Sequence, residues 1–484
     1  MIPMTLSEIA SAVGGRLDRA SGDEPVTGTV EFDSREVTPG GLFVAMPGER
    51  VDGHDFAAKA VAAGAAGVLA ARPVGAPAVI VAPVDAARSR SVALAGDRDG
   101  SGAAVLAGLG ALARVVVDRL AAGGLTVVGV TGSSGKTSTK DLLAQLLEPM
   151  GPTIAPPGSF NNELGHPWTV LRAGERTRYL VLELSARGPG HIAALCATAP
   201  PSIGVVLNVG TAHLGEFGSR EDIARTKGEL VEALPASGLA VLNADDPIVA
   251  AMASRTAARV VRVGRDPGAD VRATELELDE QARASFRMVT PAGDTRVSLA
   301  LHGAHHAGNA LAAAAVALEL GARPEEIAER LSTARRRSAR RMEVTTRPDG
   351  VTVVNDSYNA NPESVAAALH TLATMSANRG RSWAVLGLMG ELGDGSDAAH
   401  DEIGRLAVRL GVDRLVVVGE QASAMVAGAK AGGKGTETVL VPDADAAVAL
   451  LRERLAPDDV VLIKASKVVA LWRVADALLS GDAA

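Results

Sequence analysis

The residues of this chain best suited to chemistry lie between Val127 and Lys140, VVGVTGSSGKTSTK, where an apolar run breaks into glycines and hydroxyls and then into a helical pattern. Gly132 and Gly135 would let backbone N–H groups approach phosphate oxygens. Lys136 would carry charge toward the β and γ phosphates and the Thr137 hydroxyl would serve Mg²⁺, with a helix N-terminus behind them. Thr131, Ser133, Ser134 and Ser138 complete this nucleotide phosphate loop. The strict pattern G-x-x-x-x-G-K-[ST] is not met, because Val130 stands where its first glycine belongs; the shorter T-G-x-x-G-K-T is present. Lysine is scarce, 8 of 48 basic residues, and two stand in this stretch.

Other groups must meet that loop. Glu183 follows the apolar run Tyr179 to Leu182, and a carboxylate at a strand end suits Mg²⁺ on nucleotide phosphates. Asn208 follows Ile203 to Leu207, and His213 lies just beyond in N-V-G-T-A-H-L; its metal role rests on that company rather than on its own spacing. Lys227, in I-A-R-T-K-G-E-L, is a lysine in an arginine-dominated protein, on a helix predicted to start near Glu221. Asn309 stands near the start of the alanine helix in GAHHAGNALAAAA, where it could hold an adenine or ribose edge or cap the helix. The basic cluster RRRSARRME, which contains Arg341, reads by default as a solvated charged surface, though arginine is the residue type for bidentate phosphate contacts. Asp356 to Pro362, DSYNANP, puts one of only two tyrosines, Tyr358, beside Asn359 and Asn361 at a strand end, which points to function.

The elements that would position these groups form several domains, since 484 residues exceed what one core usually serves. A helix spans residues 5 to 14, with Thr5 or Ser7 as N-cap. Strands at Leu42 to Met46, Val68 to Ala70 and Ala78 to Val81 build an α/β unit over 1–122, and Ala121 to Gly124 marks a boundary. In 123–333, strands alternate with helices, giving a mostly parallel sheet whose ligands gather at the strands' carboxyl ends. In 334–484, strands at Val351 to Val354, Trp383 to Leu386, Leu415 to Val418 and Val460 to Ile463 alternate with helices in a Rossmann-like pattern. The fold class is α/β in three domains.

Composition narrows the function. Hydrophobic residues make up 47%, charged residues 21%, and the net charge is −8, a soluble profile without the basic surplus expected of a nucleic-acid partner. No basic segment followed by an apolar run opens the chain, and apolar stretches are broken before about 18 residues, so neither signal peptide nor membrane span is expected. The single cysteine, Cys196, reads as buried filler in a reducing cytoplasm.

Together these stretches resemble the Mur ligases, the ATP-dependent amide-forming enzymes of bacterial cell-wall precursor synthesis, over nearly the whole chain. DSREVTPGGLFVAMPGERVDGHDF is similar to a uridine-nucleotide domain of that family, TGSSGKTST to its phosphate loop, and NNELGHP to a segment that contacts the nucleotide-sugar substrate. DSYNANPES discriminates most: it resembles the members that add D-alanyl-D-alanine (D-Ala-D-Ala) to UDP-N-acetylmuramoyl-tripeptide, and GLMGELGDGS with His400 points the same way.

The resemblance implies a cytoplasmic, monomeric ligase working through an acyl phosphate. It implies Lys136, Glu183, His213 and Lys227 as catalytic, with Asn309, Arg341 and Asp356 on the ATP side. Ser34, Arg35, Asn161, Asn162, Glu163, Ser185, Arg187, Tyr358, Asn359 and Asn361 would contact substrates. Two Mg²⁺ ions are implied, one on Thr137 and Glu183 and one near His213, with Lys227 carbamylated as a further oxygen ligand. The chain departs from the family at His305-His306-Ala307-Gly308-Asn309, where H-N-x-x-N is usual, at Leu184-Ser185-Ala186-Arg187, and at Lys464-Ala465-Ser466 in place of K-G-S. Two other readings are a folylpolyglutamate-type ligase, which should lack the DSR domain, and a non-enzymatic phosphate-loop switch.

Overall fold

The computed structural model describes residues 1–48, 51–84, 94, 97, 99–211 and 214–480. His213 lies outside the described residues. Three principal sheets carry the architecture. The first has the strand order Arg16–Asp18, Ala78–Ile80, Gly67–Ala70, Leu42–Val44, Val30–Glu31, and is parallel except for its first pair. The strand expected over Leu42 to Met46 stops at Val44, because the Met46 carbonyl turns away to accept the Gly53 N–H at 2.8 Å. The opening helix is Leu6–Val13. Thr5 is its N-cap in a reciprocal box with Glu8, and Gly14 ends it at φ +63°.

The central sheet has nine strands. Thr126–Thr131, which feeds the phosphate loop, lies between Tyr179–Glu183 and Ile203–Val206 and parallel to both. These strands are buried nearly end to end, as continuous apolar runs must be when helices cover both faces. Alternate residues divide between two cores. Leu180 and Leu182 join Ile223 and Leu230 of the helix Arg220–Glu232, whereas Tyr179 and Val181 join Leu142 of the helix Lys136–Leu147 and Ala313 of the helix His306–Glu319. The first of these cores continues through the helix Ser101–Ala121 into Leu6 and Ile9, so the first two units share one hydrophobic interior. The sequence reading did not anticipate the meander Val271–Leu278, Arg283–Thr290, Gly293–His302, whose last two pairings are antiparallel. Its strands alternate buried and exposed residues, with arginines and acids outward, which left only a weak apolar signal.

The third sheet runs Glu343–Thr346, Thr352–Asn355, Val460–Lys464, Ser382–Gly387, Arg414–Val418, Glu437–Val441, antiparallel only at its first pair. The last strand of the chain is therefore inserted between two that come earlier, which sets the end of Thr352–Asn355 beside the end of Val460–Lys464. Both edge strands, Glu343–Thr346 and Glu437–Val441, were absent from the sequence reading.

Candidate active site

The phosphate loop is a turn between a buried strand and the helix Lys136–Leu147. Gly135 needs its glycine: at φ +82°, an added Cβ would also sit 2.7 Å from the Asn309 side-chain oxygen. Asn309 is buried on the first turn of His306–Glu319, so the second helix start lies directly against the loop. Asn208, at the end of the neighbouring strand, accepts the Ser134 N–H on its side-chain oxygen at 2.9 Å and the Ser133 N–H on its backbone oxygen at 3.1 Å. The Ser133 hydroxyl accepts the Gly210 N–H at 2.9 Å. Lys136 folds back to donate to the Gly132 carbonyl at 2.7 Å. Burial lowers its pKa and the nearby Arg341 charge adds to this, while Glu183 opposes both. Thr131 faces elsewhere: it is fully buried and donates to the Leu184 carbonyl at 3.0 Å, tying two strands together.

Glu183 is the centre of an oxygen cluster. It accepts from the Thr137 hydroxyl at 2.9 Å, the Ser159 hydroxyl at 2.9 Å and the Asn161 amide at 2.7 Å. Ser159 was missed from sequence, although it immediately precedes the FNN run. Ser185 donates to the Asn161 carbonyl at 2.9 Å, Asn162 accepts the Gly165 N–H at 2.9 Å, and Glu163 faces His191 at 3.6 Å. Among the described residues no group of three or more His, Cys, Asp or Glu could hold a metal ion by itself. A hard divalent cation at the Thr137 hydroxyl and Glu183 carboxylate would therefore complete its shell with substrate oxygens and water, which suits Mg²⁺.

The third unit closes over this loop. One face of the helix Lys136–Leu147 and the turn after it grips the linker: Asp141 accepts the Ser338 N–H at 3.1 Å, Gln145 exchanges two 2.9 Å hydrogen bonds with the Arg335 backbone, and Glu148 pairs with Arg337. Arg341 follows. Its guanidinium donates to the Thr137 hydroxyl at 3.1 Å and lies 4.1 Å from the Tyr358 ring centroid. Asn361 caps the helix Pro362–Ser376 and donates to the Ser133 carbonyl at 3.4 Å. Glu363, which sequence reasoning also missed, accepts the Thr211 N–H at 2.7 Å. Arg187 pairs with Glu391 at 3.0 Å. The buried ammonium of Lys464 donates to Asp356 at 2.6 Å and to the Asn359 carbonyl at 2.8 Å; burial lowers its pKa, against the pull of Asp356. His400 is a buried brace that accepts the Met389 N–H at 2.9 Å.

These groups surround a cavity of about 1020 Å³. Ser133 to Ser138, Asn161 to Glu163, Glu183, Ser185, Arg187, Asn309, Arg341, Asp356, Tyr358, Asn359 and Asn361 line it, and so do His305 and His306, whose pKa values burial lowers. Ser34 and Arg35 do not: Ser34 is buried, and Arg35 is exposed with its guanidinium closed on Asp33, holding that carboxyl down to about 2. Their turn is nevertheless tethered toward the site, since the adjacent Phe32 packs 6.5 Å from Phe160 and 5.9 Å from Trp168 between ring centroids. Lys227 does not line the cavity. It is buried on the helix Arg220–Glu232 without a hydrogen bond or ion pair among the described residues, and burial first, then the Lys136 charge, puts its pKa well below the ordinary value. Cys196 is buried, and burial pushes its thiol up to about 12.

The profile of the Mur ligase middle domain matches residues 130–317, that of the Mur ligase, glutamate ligase domain matches 340–467, and that of the Mur ligase family, catalytic domain matches 28–95. The UDP-N-acetylmuramoyl-tripeptide–D-alanyl-D-alanine ligase of Mycobacterium tuberculosis is 58% identical over 100% of this chain and 99% of its own. A crystal structure of MurF from Acinetobacter baumannii superposes with a TM-score of 0.84 at 31% identity, covering 99% of both chains. The MurF ligase of Thermotoga maritima in complex with ADP does so with a TM-score of 0.75 at 30% identity, covering 93% of this chain and 97% of that one. With a middle domain built on the phosphate loop and a full-length relative at this identity, the chain belongs to the Mur ligase family.

Proposed function

We propose that this chain is an ATP-dependent ligase that joins D-alanyl-D-alanine to UDP-N-acetylmuramoyl-tripeptide, releasing ADP and phosphate, in the cytoplasmic stage of peptidoglycan precursor synthesis, and that it works as a monomer. The observation that carries this is the meeting of three chain regions at one cavity: the phosphate loop, the Glu183 cluster with Asn161, and the Tyr358 loop brought in by Arg341. The first suits a triphosphate, the second the divalent cation that a triphosphate carries, and the third an acceptor delivered by a separate unit.

In this reading, an oxygen of the tripeptide carboxylate attacks the γ-phosphorus of ATP and ADP leaves. The neutral amine of D-Ala-D-Ala then attacks the acyl carbon, loses a proton and expels phosphate. Lys136 leaves the Gly132 carbonyl to neutralise the transferring phosphoryl group, and the loop N–H groups hold the β phosphate. Arg341, fixed between Thr137 and Tyr358, brings a second positive charge to the same place. Asp356, braced by Lys464, and Asn309 take the nucleoside side. Asn161, Asn162, Glu163, Ser185 and Arg187 face the sugar-peptide, with Ser34 and Arg35 at its uridine end. Mg²⁺, held by Thr137 and Glu183 and at a second position by His213 and a carbamylated Lys227, would neutralise phosphate charge. Lys227 fits carbamylation because its amine is buried, without a partner among the described residues, and biased to the neutral form that attacks CO₂, losing one proton as the N-carboxylate forms. Closure of the three units keeps water from the acyl phosphate.

The test is the product. Incubation with ATP, D-Ala-D-Ala and UDP-muramoyl-tripeptides that differ at the third residue, followed by mass spectrometry, should show one pentapeptide per ADP formed. ADP release that is independent of the amine would overturn the reading.

A further inference from the structure

The third unit presents one unusual turn to the cavity. After the strand Val460–Lys464 the chain makes a short turn, Lys467–Val469, ended by Ala470 at φ +54°. Val469 is turned inward, packing in the core of this unit with Ala465 and Leu471. Val468 points the other way: it lines the cavity and is 82% exposed, the most exposed large hydrophobic side chain among the described residues. Lys467 lines the cavity beside it, and Ser466 fixes the turn by accepting the Gly390 N–H at 2.7 Å.

The cations of this wall differ in what they already hold. Lys464 is committed to Asp356 and the Asn359 carbonyl, Arg341 to Thr137 and the Tyr358 ring, and Arg187 to Glu391. The Lys467 side chain has neither a hydrogen bond nor an ion pair among the described residues. In a chain with only 8 lysines, one without a partner among the described residues, beside a bare valine on the wall of a substrate cavity, sets positive charge next to apolar surface. A D-Ala-D-Ala acceptor has matching parts: a terminal carboxylate, which needs a cation, and two methyl groups, which gain from apolar contact.

We infer that Lys467 and Val468 form the subsite for the carboxylate end of the D-alanyl-D-alanine acceptor, Lys467 pairing with the carboxylate and Val468 covering a methyl group. This rests on the acceptor assignment made above. It puts the amine at the opposite end of the dipeptide, away from the Lys467 charge, where it is free to lose its proton and attack.

The experiment compares D-Ala-D-Ala with D-alanyl-D-alaninamide, which keeps the amine and both methyl groups but has no carboxylate charge, in the wild-type protein and in Lys467→Gln. Wild type should prefer the acid by about tenfold or more in kcat/KM. In Lys467→Gln the preference should shrink to about threefold or less, through a raised KM for the acid, while the KM for ATP stays unchanged. Val468→Ser should raise the KM of acid and amide alike. If wild type uses acid and amide equally, or Lys467→Gln keeps the wild-type preference, the subsite is wrong although the ligase activity stands. If wild type makes no product from D-Ala-D-Ala at all, the ligase reading and the subsite both fall.

Discussion

The Lys464 ammonium lies 2.6 Å from the Asp356 carboxylate at the ends of two adjacent parallel strands, with 108 residues of chain separation. The other Asp356 oxygen accepts the Met342 N–H at 3.0 Å, next to Arg341, so one buried carboxylate joins the linker to two strands. Lys464→Met should leave that carboxylate uncompensated and cost about 3–5 kcal/mol of stability in urea unfolding. In folded variant protein the KM for ATP should rise more than the KM for D-Ala-D-Ala. Equal changes in both would remove Asp356 from the nucleotide side.

Asp141 couples the phosphate-loop helix to the linker. It accepts the Ser338 N–H and pairs with the buried Lys140, which in turn donates to the Pro156 carbonyl at 2.8 Å. Asp141→Ala should lower stability by about 3 kcal/mol, because a buried ammonium loses its partner. It should also lower kcat by loosening Arg341, whereas Gln145→Ala, at the outer end of the same strip, should have a smaller effect on rate. Stability measured by denaturant and single-turnover phosphate release separate the two consequences.

Lys227→Ala should be inactive and should regain part of its activity with short carboxylates in solution, which would fill the vacated oxygen site. Labelled CO₂ should give a carbamate carbon resonance in wild type that the variant lacks. Substantial activity in Lys227→Arg would show that positive charge is what the position supplies.

His166 is fully enclosed beside the NNE segment, and burial lowers its pKa from the ordinary 6.5 to about 4, opposed only in part by the backbone of Leu195 and Glu183. The unfolded chain therefore binds one more proton across that window, so stability rises with pH there. The contribution is complete above pH 6.5 and is lost as the pH falls toward 4, amounting to about 3 kcal/mol. His166→Leu should flatten that acid limb in denaturation midpoints measured from pH 4 to 7; an unchanged slope would assign the limb to other groups.

Several parts of the site follow from local sequence alone. The order strand, glycine turn, lysine, hydroxyl, helix is contiguous, and so is the placement of Glu183 and Asn208 at the ends of apolar runs, because in a parallel sheet every strand's carboxyl end faces the same way. The asparagine-rich Tyr358 loop stood out by composition. Strand edges and the meander at 271–302 did not, since its half-exposed strands carry as many charged and hydroxyl residues as apolar ones.

What only tertiary structure decided is which distant groups share a partner. The crossing of the last strand between two earlier ones pairs Lys464 with Asp356, and no local pattern encodes that insertion. Ser159 reaches Glu183 because its loop folds over the neighbouring strand end, and Glu363 reaches Thr211 because a helix of the third unit stands on the central one. The sequence determined the chemistry available, through residue types held within single turns and strand ends. The fold decided the pairing, because buried charges and orphaned N–H groups must find partners wherever packing brings them together.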